Sequence, residues 1–424
     1  MRAHLVSRVL NQLPFADRGR VADVLRSTVW LVPAVFVAAA VGLAMLLIAV
    51  DASLRPTGST LLFPGPPAGA RSFLSAIVQA MISFTAVVFS ITVVILQLSS
   101  SQYSPRVLRR FLRDRLIQSS LGCFVATFAY ALVVLRAVQG GGPDGKGFVP
   151  RLAVTGAFVL VLASVALFVA YIGHVTNMIR VATIIAGIGA DTRAAIQARP
   201  AGGRSRVVPP AGACRGTLPA PRPGVLVSAS SSRLVSLAAE HDCVLRLAVR
   251  IGDYLPEGAD LFELFSTPGR REAAGYGEPP PWHTAVYRHV TFDIERTMEQ
   301  DAAFGFRQLV DIALQALSPA VNAPTTAAQV IDEMHDLLRR LVTEPRAEEC
   351  HRDENGQPRL IVPRYDAGDY LDLAVAEIWR YGCDSPQIPG RLLRMLDDLQ
   401  AVARPEYRPA LETWQLRLAE AAAA

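Results

Sequence analysis

A helix that crosses the hydrocarbon of a bilayer takes about 20 apolar residues in succession. This chain supplies four such runs within its first 180 residues: Thr28 to Val50, Phe73 to Leu98, Ile117 to Leu135 and Leu152 to Ile179. The first run follows some two dozen residues that carry several arginines. A cleaved signal peptide has a shorter charged lead and a shorter apolar core, so this run is expected to be retained as a span. The hydrophobic content of 51% and mean hydropathy of +0.30 are high for a soluble protein. Of the 424 residues, those after about 180 are far more polar and read as a soluble region.

Arginine placement orients the spans. The formal charge is +5, and Lys146 is the only lysine. Arg2, Arg8, Arg18, Arg20 and Arg26 precede the first run; Arg106, Arg109, Arg110, Arg113 and Arg115 crowd the connection between the second and third. The other two connections hold fewer basic residues, so the positive-inside rule places both termini and the 102–116 connection in the cytoplasm of a bacterial inner membrane. These arginines are explained by orientation, and nucleic acid is not expected as a partner.

The second run is unusually polar. Ser83, Ser90 and Gln97 are spaced by seven and share one helix face, with Gln79 at its outer end. Thr85, Thr92 and Ser99 form a second seven-spaced row on roughly the opposite face. Glutamine in hydrocarbon is costly unless it is satisfied or faces water. Two readings follow. Gln79, Ser83, Ser90 and Gln97 line a hydrated path about an oligomer axis, or the hydroxyls bond back to their own helix and the glutamines bridge helices. Arg106, Arg109, Arg110 and Arg113 sit where an inner mouth would be, or where anionic lipid headgroups would be bound. Small residues four apart, Ala34, Ala38 and Gly42, then Gly122 and Ala126, then Ala166 and Ala170, suggest close helix packing.

Beyond the spans, 199–222 is rich in Pro, Gly and Arg and reads as a flexible linker. Residues 223–265 read as a small α/β module: strands at Val225–Val227 and Val244–Val249 flank a helix from Arg233 to His241, and IGDYLPEGADLFEL has the turn spacing of a hairpin. That hairpin lacks a lysine, so it is no lipoyl or biotinyl carrier. From 283 to 424 the period is helical, with a break at Ser318-Pro319 and a restart capped by Thr325 or Thr326.

Candidate chemistry is sparse. The five cysteines are dispersed and form no CxxC. His241-Asp242 and His335-Asp336 have the form of HD-type phosphohydrolase ligands, but no context supplies the further His and Asp. No P-loop, GxSxG, HExxH or GxGxxG element stands out. No catalytic residue, metal or cofactor is therefore expected.

Two stretches, FSITVVILQLSSSQYSPRVLRRFLRDRLIQSSLGCFVATFAYALVVLR (Phe89 to Arg136) and QDAAFGFRQLVDIALQALSPAVNAPTTA (Gln300 to Ala327), carry a resemblance. They resemble a family of bacterial predicted integral membrane proteins of unknown function, domain of unknown function 2254. The resemblance implies an N-terminal membrane domain and a cytoplasmic C-terminal region, and no established activity. Asp301, Arg307, Gln308, Asp311, Ser318, Asn322 and Pro324 match its cytoplasmic motif, whereas Ala320 and Ala323 replace its usual glycine and aspartate. The matching residues are expected to hold the domain together through hydrogen bonds and caps; the alternative is a ligand site.

The sequence thus describes a mainly α membrane protein. A cytoplasmic segment (1–27) precedes four transmembrane helices (28–180), and a small α/β module and an α-helical cytoplasmic domain follow. The expected role is an oligomeric inner-membrane channel or transport-like protein with a hydrated path along the second span, whose arginines would favour anions. The alternative is a non-catalytic scaffold or sensor whose cytoplasmic domain binds a partner or ligand. The expected partners are the lipid bilayer and further copies of the chain.

Overall fold

The computed structural model describes residues 31–54, 63–102, 114–139, 148–178, 180–198, 214–266, 280–344 and 349–423. The N-terminal segment 1–27, the four arginines from 106 to 113 and residues 199–213 of the linker lie outside these ranges. The fold is mostly helical, 66%, and divides into two compact units at Arg180 and Val181.

The first unit holds four helices long and apolar enough to cross a membrane: α1 (Leu31–Leu54), α2 (Pro67–Gln102), α3 (Arg115–Ala137) and α4 (Arg151–Met178). Helix α3 packs against each of the other three. It is also the least apolar, with a hydropathy of 1.8 against 2.2 to 2.6, and 44% of its span is buried against 17 to 22%. A helix walled in by protein has little lipid to satisfy, so it can carry Gln118, Ser120 and Thr127 on buried positions. Of the three small-residue rows, only Gly122 and Ala126 are buried. A Cβ on Gly122 would sit 3.2 Å from Pro33 Cα and from Phe36 Cγ, so α1 and α3 approach closely there. Ala34, Ala38 and Gly42, and likewise Ala166 and Ala170, are exposed among the described residues.

The second unit corrects the expected boundaries. A helix absent from the sequence reading, α5 (Val181–Gln197), opens it and packs on α8 (Ala302–Leu317) and α9 (Pro324–Leu341). Inside the stretch read as linker lies a strand, β1 (Cys214–Pro219). The α/β module is larger than 223–265. It comprises β2 (Gly224–Ala229), α6 (Ser231–Glu240), β3 (Cys243–Leu247), β4 (Tyr254–Leu255), β5 (Asp260–Ser266), α7 (His283–Tyr287) and β6 (Val290–Asp293). To these it adds β7 (Glu349–Arg352) and β8 (Pro358–Val362), from a region expected to be wholly helical. Five strands form one sheet in the order β1-β5-β3-β8-β7, with only β3 and β8 parallel. The other sheet has the order β4-β2-β6. The expected hairpin is not one: β4 pairs with β2, and β5 with β1 and β3. Leu218, Leu226, Leu245, Phe262, Phe292 and Leu360 share one core. A second core joins α5, α8 and α9 to α10 (Ala367–Gly382), α11 (Ile388–Val402) and α12 (Arg408–Ala423).

Candidate functional site

The polar rows of α2 have different fates. Its inner face buries Ala70, Leu74, Ile77, Met81 and Val88. Thr85 and Thr92 lie toward that face, and each hydroxyl donates to the carbonyl four residues earlier, at 2.7 Å. Thr92 Oγ1 also lies 3.0 Å from the Tyr171 hydroxyl of α4. Gln79, Ser83, Ser90 and Gln97 are all exposed, along the outer face. Ser83 Oγ donates to the Gln79 carbonyl at 3.2 Å, while no described residue offers the Gln79 or Gln97 amide a hydrogen bond. Exposed apolar residues flank the row, Ile82 (53%) and Phe89 (58%) on one side, Val87 (48%) and Val94 (49%) on the other.

The ends of the spans are tied by polar contacts, of whose residues the sequence reading singled out only His174, as an interfacial cap. Asp51, 3% exposed, receives the backbone N–H groups of Leu152 and Ala153 at 3.1 Å, so a carboxylate from α1 caps the first turn of α4. The Tyr130 hydroxyl donates to the Ala153 carbonyl at 2.8 Å. Arg71 donates to the Val138 carbonyl at the end of α3. At the opposite end of α3, Asp114 accepts from Leu116 and Ile117 and meets His174 Nε2 at 3.0 Å. Between these levels Thr127 and Ser164 pair at 3.0 Å. An acid directly after an apolar run, as in LLIAVDASL, was the available signal for Asp51.

In the second unit the motif residues divide by task. Asp301, 4% exposed, caps α8 by accepting from Phe304 N at 3.1 Å, and its other oxygen takes Arg296 Nε at 2.8 Å. Burial pushes its carboxyl above the ordinary range, outweighing Arg296. Gly252 (φ +99°) lies so close that any side chain there would strike this carboxylate. Arg307 donates to Asp311 at 2.7 Å and forks onto both oxygens of Glu377, holding that carboxyl below its usual value and fastening α8 to α10. Gln308 is buried in the same helix. Ser318 ends α8, its hydroxyl donating to the Gln315 carbonyl at 2.7 Å.

The turn differs from expectation in two respects. Pro324 is itself the first residue of α9 and Ala323 its cap; neither Thr325 nor Thr326 serves. Proline suits that position because its missing N–H is one the helix leaves unbonded anyway. Asn322 acts through its backbone rather than through the local side-chain bond expected for it. It is exposed, at φ +45°, with its N–H donating to the Ser318 carbonyl at 2.9 Å. Asn322→Leu is expected to cost about 1–2 kcal/mol by forcing a γ-branched side chain into the left-handed region, whereas Asn322→Gly should be nearly neutral. Thermal melts of the two variants check this; equal losses would return the role to the side chain.

One hollow adjoins these groups and another lies apart from them. One, beside Asp301 and Tyr365, offers about 20 Å³, enough for a single water. The other is a groove of about 720 Å³ between α6 and β7, floored by Ser232, Val235, His351 and Arg352. The His-Asp pairs point apart: His241 stacks on Trp282 at 4.5 Å and Asp242 receives the buried Arg359, whereas His335 pairs with Asp398 and Asp336 with Arg193. Among the described residues no three His, Cys, Asp or Glu side chains are placed to share a metal.

Residues 26–398 match the family described as "Predicted membrane protein (DUF2254)". Uncharacterised proteins of Mycobacterium bovis and of two Mycobacterium tuberculosis strains are 34% identical over 404 residues, covering 93% of this chain and 76% of theirs. No solved structure matches. The match spans the four apolar helices and most of the second unit, and the chain belongs to that family: it is a DUF2254 membrane protein.

Proposed function

We propose that copies of this protein assemble in the bacterial inner membrane, with both termini in the cytoplasm, around a hydrated path lined by Gln79, Ser83, Ser90 and Gln97. The observation that carries the proposal is the outward placement of this row. In a lone chain the row from Gln79 to Ser90 would face hydrocarbon, with no described residue hydrogen-bonded to the Gln79 carboxamide, which is costly. Interhelical hydrogen bonds in membranes average about 0.6 kcal/mol, a modest reason to keep so many polar groups on one face. The arginines at 106, 109, 110 and 113 follow α2 in sequence and would bias such a path toward anions. No catalytic group and no cofactor enters this reading.

Single cysteines at positions 83 and 90, probed in membrane vesicles, test it. Both are expected to react with small impermeant thiol reagents and reaction should change anion flux in liposomes, position 79 being reached from outside and position 97 from inside. If the thiols stay inert and purified protein carries no flux, the row joins helices and the chain is a scaffold or sensor whose C-terminal unit binds a partner.

A further inference from the structure

We infer that the copies close on one another through the two apolar flanks of α2, the Ile82–Phe89 ridge of one chain packing against the Val87–Val94 ridge of the next. The inference rests on the reading that the polar row does not face lipid. That row occupies the middle of the exposed face of α2, and the flanks border it on both sides. Lipid that reached both flanks would reach the row between them. Covering the flanks is therefore the condition for keeping Gln79, Ser83 and Ser90 out of hydrocarbon.

A second copy is the occupant the flanks fit. Ile82 and Phe89 are seven apart and large; Ala80, Val87 and Val94 are seven apart and small, and all five are exposed. A seven-residue repeat keeps two helices in contact along a left-handed crossing, with bulky side chains of one seated between smaller ones of the other. Copies inserted the same way round present α2 in parallel, so Phe89 lies within about 3 Å in height of Val87 of its neighbour. The two ridges are unlike, so the contact is head-to-tail and propagates into a closed ring rather than a two-fold pair. In that ring the polar row turns to the axis.

The test uses full-length chains carrying different tags, coexpressed and oxidised in native membranes, with the parent chain as control for its own five cysteines. F89C together with V87C is expected to give a disulfide-linked dimer, and neither alone to give one. Phe89→Ala should shift purified protein toward smaller assemblies on size exclusion. Dimers from S90C alone, with none from the F89C and V87C pair, would overturn the ring in favour of a two-fold seam that buries the row. No cross-link at any of these positions, with an unchanged assembly size, would mean lipid-facing flanks and would also overturn it. A linked F89C–V87C ring whose position 90 is inert to impermeant reagents would uphold this contact and sink the hydrated path alone.

Discussion

Asp301→Ala is expected to lower the stability of the second unit by about 3–5 kcal/mol, the range for removing one member of a buried ion pair. The change strips the acceptor from Phe304 N and leaves Arg296 without its carboxylate partner, in a position 4% exposed. For a unit of this size roughly 2–4 °C accompany each kcal/mol, so a melt of the purified chain should move by more than 6 °C. Asp301→Asn keeps one acceptor, enough for the cap or for Arg296 but not for both, and should lose less than alanine. The pH dependence separates the charge from the cap. Burial raises the carboxyl in the folded chain, so the unfolded chain gives up this proton more readily. Its contribution is therefore fullest below the ordinary aspartate value, declines as pH rises toward the raised folded value, and is level above it. The asparagine variant should lack that decline. An alanine variant that melts with the parent would refute the structural role of the motif's first residue.

Asp51→Ala is expected to cost the first unit about 2–4 kcal/mol. Two backbone N–H groups at the start of α4 lose a charged acceptor at once, and an unsatisfied buried donor costs about 1–3 kcal/mol. Asp51→Asn restores one neutral acceptor and should recover about half. The measurement is loss of detergent-solubilised folded protein on heating. If Asp51→Ala and Asp51→Asn lose equally, the charge rather than the hydrogen bond holds α4. If neither loses anything, water replaces the carboxylate and the cap is dispensable.

The membrane unit was legible in the sequence to within a few residues, because length and apolarity are all that a span requires. The second span, read as Phe73 to Leu98, belongs to a helix that runs from Pro67 to Gln102 and whose apolar stretch is Pro67–Val94. The sheets were legible only as fragments. Val225–Val227 and Val244–Val249 were visible as short apolar runs, yet β8 lies over a hundred residues beyond its parallel neighbour β3, and no local pattern announces that pairing. Helix α5 escaped notice for a related reason. Its sequence, VATIIAGIGADTRAAIQ, continues the apolar character of α4, and only Ile185, Ile188 and Ile196 against α8 and α9 give it an identity of its own. At the motif, sequence supplied the residues without their roles. Asn322 between two prolines pointed to a turn, but the sign of its φ depends on where Ala323 must place its N–H, and that N–H donates to the Ala316 carbonyl at 2.7 Å.

Helix α5 has a consequence for how the chain is made. Its apolar face is covered by α8 and α9, which begin more than a hundred residues further along. During synthesis α5 therefore emerges with Ile185, Ile188 and Ile196 bare, and stays so while the intervening strands are produced. Exposed apolar surface that waits for distant partners invites misassociation. Ribosomes stalled before residue 302 should hold nascent chains that recruit chaperones through α5, and release should come only once residues up to about 341 have cleared the exit tunnel.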